Sequence, residues 1–248
     1  MRVLGLVPAR GGSRGVPRKN LRSLVGRPLL AYTAEAALAA VRLDRVVLST
    51  DDPEIAAVGE ELGLDVPFMR PAELATDDAP TLPVIQHALS ALAASGDCYD
   101  AVCLLQPTTP FRPVGAVDGC VQLLETSGAD TVISVRATPS HLHPQWAFIA
   151  DADGFLALAC GAGAPPPRRQ LLPPAYHRDG AVYVVRRKTV ESGTLFGERV
   201  AGCVLTGAPA VNIDEAEDWD RAERWLLRNG CPDALDMDAG DRTPRVVR

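Results

Sequence analysis

The chain has 248 residues and a formal charge of −6, a length that suits one large α/β domain or one domain with a small appendage. Hydrophobic residues make up 47%, charged residues 23% and aromatics 5%, so a sizeable core is available and must rest on Leu, Val, Ile and Ala. The acidic balance excludes a general nucleic-acid binder, and no stretch approaches the roughly 20 apolar residues that span a bilayer.

The opening MRVLGLVPARGGSRG is too briefly apolar and too soon basic for a signal peptide, so a cytoplasmic protein is expected. Its VLGLVPA segment reads as a buried parallel strand ending in a Gly-rich loop. A helix is expected from about Pro28, with Leu29, Leu30, Thr33, Ala36, Ala37 and Ala40 on one face. DRVVLST is a second strand, closed by Asp51-Asp52-Pro53, where an aspartate caps and Pro53 opens a helix through EIAAVGEELG. A short strand DVPFMR follows. The pattern then repeats: helix TLPVIQHALSALAAS, strand DAVCLLQ, helix VGAVDGCVQLLETSG, strand DTVISVRA. Strands alternating with such helices imply βαβ units, a mostly parallel sheet and a ligand site beyond the carboxyl ends of the strands.

Between about 139 and 170 the rhythm breaks, in a stretch holding His141, His143, Trp146 and APPPRRQ. This excursion reads as a lid, a dimerisation arm or both. GAVYVVRR and CVLTG return as strands, APAVNID, whose VNID reads as a short apolar strand, leads into the helix EAEDWDRAERWLLRN, and Gly230 ends it. The expected domain runs over 1–230, with 231–248 as a flexible tail. The six cysteines show no CxxC or CxxH spacing, and those in AVCLLQ and GCVL read as small hydrophobes. His87 reads as a partly buried helix residue, and Trp219 and Trp225 as packing.

The strongest chemical signal is PARGGSRGVPRKN, residues 8–20, directly after the first strand. Gly11, Gly12 and Gly15 allow close backbone approach and N–H groups aimed at an anion. Arg10, Arg14, Arg18 and Lys19 add four cations within ten residues. Amide donors beside cations are what a triphosphate needs. The loop matches neither a P-loop nor a dinucleotide fingerprint. Asp214, at the foot of the last helix, is either its cap or a metal ligand.

The blocks PARGGSRGVPRKN, STDDPEIA, RPAELATDDA, LLQPTTPFR, RRQLLPPAYHRDGAVYV and NIDEAEDWDRAE occur in that order over about residues 3–226. Together they resemble the acylneuraminate cytidylyltransferases, the CMP-sialic acid synthetase-like family. The resemblance implies a Rossmann-like three-layer α/β/α nucleotidyltransferase fold with a protruding dimerisation segment. It also implies Mg²⁺ dependence, a homodimer, and CTP and a small acidic sugar as substrates, without nucleic acid or membrane.

Mapped through the motifs, the loop residues Ala9, Arg10, Gly11, Gly12, Ser13 and Arg14, with Lys19 and Asn20, belong to the nucleotide site. Arg70 falls near the cytosine, Ala79 and Thr81 line the nucleotide pocket, and Gln106 faces the α-phosphate and the sugar. Arg169, His177, Asp179, Tyr183 and Phe196 fall in the acceptor region. Asp214 is the implied metal ligand, with Asn212 beside it. Arg10, Lys19, Gln106 and Asp214 form the implied catalytic set.

Departures from the family pattern concern the metal and the acceptor. Asn212-Ile213-Asp214 stands where many relatives carry two aspartates, and asparagine brings no charge. His177 and Asp179 stand where relatives that load sialic acid often carry arginine and asparagine, and a carboxylate facing the acceptor would repel an acidic sugar. The expected activity is transfer of CMP to the anomeric hydroxyl of a sialic-, legionaminic- or pseudaminic-type acid, with release of pyrophosphate. The alternatives are transfer to another acceptor such as a sugar 1-phosphate, with GTP, and a catalytically silent nucleotide-binding protein.

Overall fold

In the computed structural model, residues 1–161 and 163–230 and the backbone of 245–247 are described. The expected tail therefore lies mostly outside the described residues.

Strand β1 (Val3–Pro8) shows why the sheet has two covered faces. Val3 and Val7 pack on one side with Leu30, Ala34 and Ala37 of helix α1 (Leu29–Leu38) and with Cys120, Val121 and Leu124 of α4 (Ala116–Ser127). Leu4 and Leu6 point the other way, against Ile85, Ala88 and Leu92 of α3 (Thr81–Ala94). Side chains alternate along a strand, and each fully buried Leu or Val contributes about 1.5–3 kcal/mol. Helices on both faces make the expected three-layer α/β architecture.

Strands β4 (Arg45–Ser49) and β5 (Ala101–Leu104) both pair with β1 in parallel, Leu6 lying opposite Val47 and Leu104. With β6 (Thr131–Ala137), β9 (Tyr176–Arg186), β10 (Val200–Val204) and β11 (Arg245–Val247), they form a seven-stranded sheet in the order β11-β10-β6-β9-β5-β1-β4. β9 runs antiparallel to β5, and β11 antiparallel to β10.

Local chemistry fixes the element ends. Asp52 caps α2 (Pro53–Glu61) by accepting from the N–H groups of Glu54 and Ile55 at 2.8 and 3.1 Å, as the sequence suggested. Helix α6 (Ala216–Asn229) starts in a capping box between Glu215 and Asp218. A small hairpin, β2 (Ser23–Leu24) with β3 (Arg27–Pro28), turns on Val25 and Gly26, both at positive φ. Two expected strands are absent. DVPFMR makes only one bridge, Asp65 to Val47, and VNID is coil, anchored where the Ile213 N–H donates to the Thr108 carbonyl at 2.7 Å. Short helix α5 (Arg187–Glu191) was not anticipated. A third core cluster joins Val16, Leu24, Leu29, Tyr32, Phe111, Ile213 and Trp219 beneath the loops.

The described residues within 1–134 and 179–248 form one compact unit, and those within 135–178 a second, which contains the irregular stretch expected over 139–170. The second unit holds a two-stranded hairpin, β7 (Phe148–Ala150) with β8 (Leu156–Leu158). Within it the His143 ring bonds the Pro173 carbonyl at 2.9 Å, and the Trp146 indole donates to Pro166 at 2.9 Å. His143 is thus a packing residue here. No helix among the described residues is long and apolar enough to cross a membrane.

Candidate active site at the carboxyl ends of the strands

Backbone and side-chain hydrogen bonds together hold the loop after β1. Ala9 is buried in the core, and its N–H continues the ladder to the Ser49 carbonyl at 3.0 Å. Gly11 donates its N–H to Asp51 at 3.0 Å, and the Asn20 amide donates to the Arg10 carbonyl at 3.0 Å. Gly11 therefore spends its amide on Asp51, contrary to its expected role as an anion donor. None of Gly11, Gly12 and Gly15 has positive φ. Gly15 is required for space: a Cβ there would lie 1.9 Å from the Asp214 carbonyl oxygen. It lets the first loop close on the chain just before α6.

The loop cations divide by partner. Arg10 donates to the Thr76 carbonyl at 2.5 Å and pairs with Asp77 at 2.8 Å. Arg14 also pairs with Asp77, and Arg18 turns away to Asp52 and Glu54. Lys19 is well buried, donating to the Ile213 carbonyl at 2.6 Å with the Asp214 carboxylate 3.5 Å away. Burial lowers the Lys19 pKa, while Asp214 opposes that fall. Arg70, buried at the base, donates to the Ser49 hydroxyl at 3.0 Å and to the Ser49 carbonyl. Burial pushes it down to about 10, which leaves it charged at neutral pH.

Opposite stands the turn after β5. Thr109 closes on the Gln106 carbonyl through its N–H and its hydroxyl, at 3.2 and 3.1 Å. Asp214 faces this turn with its side chain 61% exposed. It is not the helix cap, because Glu215 and Asp218 fill that role. Its carboxylate accepts from the Asn212 amide at 2.5 Å.

A cleft of about 250 Å³ results, at the carboxyl ends of β1 and β5. Arg10, Gly12, Ser13, Lys19, Asn20, Arg70, Ala79, Thr81, Gln106 and Asp214 all line it, so most of the nucleotide positions marked by the motifs converge. Pro107, Thr108, Thr76 and Asp77 complete the wall and were not singled out. Their sequence signals were the QPTTP run in LLQPTTPFR and the TDD triplet in RPAELATDDA. A larger, open depression of about 940 Å³ lies at the opposite end of the sheet, near Met1, Asp100 and Glu125. Its Arg186 is already bonded to the Ala129 and Leu124 carbonyls, and Arg187 to Glu191. The smaller cleft is where unlike functional groups converge.

This chain belongs to the cytidylyltransferase family. Residues 4–188 match that family directly. The CMP-N,N'-diacetyllegionaminic acid synthase of Legionella pneumophila is 32% identical over 240 residues, covering 92% of this chain and 98% of that protein. The N-acylneuraminate cytidylyltransferase of Escherichia coli O18:K1:H7 is 31% identical over 225 residues, 89% of this chain but 51% of that longer protein. In fold, the chain resembles a CMP:2-keto-3-deoxy-manno-octonic acid synthetase solved with CTP. That match has a TM-score of 0.67 at 17% identity and covers 92% of this chain and 99% of the other.

The acceptor positions expected from the cytidylyltransferase motifs do not converge in the same way. Tyr183 is buried in the core, opposite Leu104, where strand alternation turns it toward α3. Phe196 lies beside Asp130 and Lys188, where β6 begins, at the end of the sheet opposite the cleft. Neither lines the cleft of this chain. Arg169 opens a short 3₁₀ turn in the second unit and is exposed. His177 is exposed in the same unit, its ring 3.3 Å from the Thr138 hydroxyl. Asp179 accepts from the Ser134 hydroxyl and from the Ala181 N–H at 3.1 Å. Those bonds fix the carboxylate within the sheet and leave its charge in place.

Proposed function

We propose that this cytidylyltransferase transfers CMP from CTP to the anomeric hydroxyl of a nonulosonic acid of the sialic, legionaminic or pseudaminic type, releasing pyrophosphate. The observation that carries this reading is the convergence of Arg10, Lys19, Arg70, Gln106 and Asp214 on one cleft. The acceptor class is supported by the names of the relatives.

In this reading Arg10 and Lys19 hold the β- and γ-phosphates. Arg70, its fork partly tied to Ser49, stays fixed beside the base. Gln106 faces the α-phosphate and the sugar. The acceptor oxygen attacks the α-phosphorus in line, and the bond to the pyrophosphate oxygen breaks. The protein's share is positioning and charge stabilisation, as in other displacements at phosphorus.

A bound Mg²⁺ fits the donor set. Among the described residues no cluster of three or more His, Cys, Asp or Glu side chains could enclose a metal. Magnesium needs only one or two protein carboxylates, its other positions going to phosphate and water. Asp214, exposed and free of capping duty, would hold it, with the neutral Asn212 beside it. Bound there, Mg²⁺ neutralises phosphate charge.

A homodimer joined through the second unit accompanies this reading. Phe148, Ile149, Phe155 and Leu156 are exposed around the β7–β8 hairpin, and clustered exposed apolar side chains mark interaction surfaces. Sedimentation at micromolar concentration tests it, and a monomer throughout refutes it. A cytoplasmic location, where CTP is available, accompanies this reading.

Pyrophosphate release, measured with each nucleoside triphosphate, Mg²⁺ and a panel of nonulosonic acids and sugar 1-phosphates, tests the activity. Release with CTP and a nonulosonic acid is expected. Release only with GTP and a sugar 1-phosphate overturns the reading.

A further inference from the structure

Arg112 has no part in the scheme above, yet it is 4% exposed and spends its guanidinium on neutral oxygens. Its Nε donates to the Ala181 carbonyl at 2.8 Å, one terminal nitrogen to the Thr33 hydroxyl at 2.8 Å, and the other to the Gln106 carbonyl at 2.6 Å. The last nitrogen also reaches the Thr109 hydroxyl at 3.3 Å. Burying a guanidinium is costly, and burial pushes Arg112 down to about 10 against the opposing pull of Cys103 and Asp179. Such a group persists where a rigid planar fork has several acceptors to hold at once.

The acceptors belong to three separate elements: α1 through Thr33, β9 through Ala181, and the turn after β5 through Gln106 and Thr109. That turn carries the Thr108 carbonyl, which receives the Ile213 N–H at 2.7 Å. The Ile213 carbonyl in turn receives Lys19, and the next residue is Asp214. Thr109 also donates to the Gly180 carbonyl at 3.0 Å, tying the same turn to the start of β9.

We propose that Arg112 is a positioning residue for nucleotide transfer, fixing the Gln106–Thr109 turn and, through Thr108 and Ile213, the carboxylate of Asp214. The inference rests on the proposed transfer reaction. Arg10 and Arg70 reach the cleft from β1 and from the chain after β4, outside this relay, and Lys19 meets it only at the Ile213 carbonyl, so Arg112 acts chiefly on the reacting end of the nucleotide and leaves most of its grip intact.

The test compares Arg112→Lys, Arg112→Met and Thr33→Val with the parent by kcat and KM for CTP, at a temperature well below each variant's melting point. Lysine cannot span three elements, and a displacement of about 1 Å at a reacting group costs up to roughly 100-fold. Arg112→Lys is therefore expected to lose at least tenfold in kcat with KM for CTP within threefold. Thr33→Val, which removes one anchor and touches nothing in the cleft, is expected to lose two- to fivefold in kcat alone. Should Arg112→Lys and Arg112→Met fail to fold, Thr33→Val decides. Folded variants with the parent's kcat, or a loss carried entirely by KM, overturn the proposal. An active parent with unchanged variants refutes this inference alone. A parent inert with CTP and every acceptor refutes the transfer reading and this one with it.

Discussion

If the proposed reading holds, the chain's own Asp77 must leave Arg10 before CTP can settle there. Asp77 holds Arg10 at 2.8 Å and also bonds Arg14, so one carboxylate occupies two cations of the triphosphate loop. Arg10 and Asp77 side chains are each 30% exposed, and Arg14 is 73% exposed. Exposed pairs contribute about 0.2–1 kcal/mol each, and the Arg14 pair belongs at the low end. Together they cost an incoming triphosphate about 0.4–1.2 kcal/mol, which corresponds to a factor of roughly 2–8 in affinity. Asp77→Asn keeps the size of the side chain and removes the charge, so it should tighten CTP binding by that factor. Titration calorimetry with CTP at low and at raised salt reads the effect directly. The gap between variant and parent should shrink as salt screens the pairs. Weaker binding in Asp77→Asn would refute the reasoning, since it would make Asp77 a ligand of the nucleotide or its metal instead of a competitor.

Asp214→Ala should remove pyrophosphate release while leaving CTP affinity within about tenfold, because Arg10, Lys19 and Arg70 remain; retained turnover would exclude Asp214 from the chemistry. Gly15→Ala forces a Cβ against the Asp214 carbonyl and should lower stability by about 1–3 kcal/mol and kcat more than tenfold, read by melting and steady-state kinetics. For Lys19, whose folded pKa is lowered chiefly by burial, the folded chain holds less of that proton than the unfolded chain between the lowered value and the ordinary 10.5. Stability from this group therefore rises with pH in that window, whereas CTP affinity falls as the amine loses its charge. Lys19→Arg should abolish that alkaline loss of affinity; identical pH profiles would disprove the assignment.

The sheet was legible because its signals are local. The continuous apolar run of β1, the Asp52 cap and the Gly230 stop are each written within a few residues. The loop of residues 8–20 stood out for the same reason. What escaped depends on distant neighbours. Nothing near Gly11 says that Asp51 will take its amide, and Gly15 reads as flexibility until Asp214 is seen against it. VNID has a strand's composition but finds its hydrogen bond on the Thr108 carbonyl instead of a sheet edge. Tyr183 and Phe196 were placed by motif alone, and burial and sheet direction put both elsewhere. Arg112 ended a recognised block, LLQPTTPFR, but its three-element span is visible only in three dimensions.

The bond from Lys19 to Ile213 joins residues 194 apart in the chain. Closing so long a loop is entropically costly and kinetically late. During synthesis the triphosphate loop emerges early and must wait for the segment around Asp214 before its deepest cation has a partner. Nucleotide affinity is then acquired near the end of folding, and CTP selectively stabilises chains that have completed it. A truncation before residue 213 would keep most of the sheet's hydrophobic core and still lack Asp214 and the carbonyl that holds Lys19.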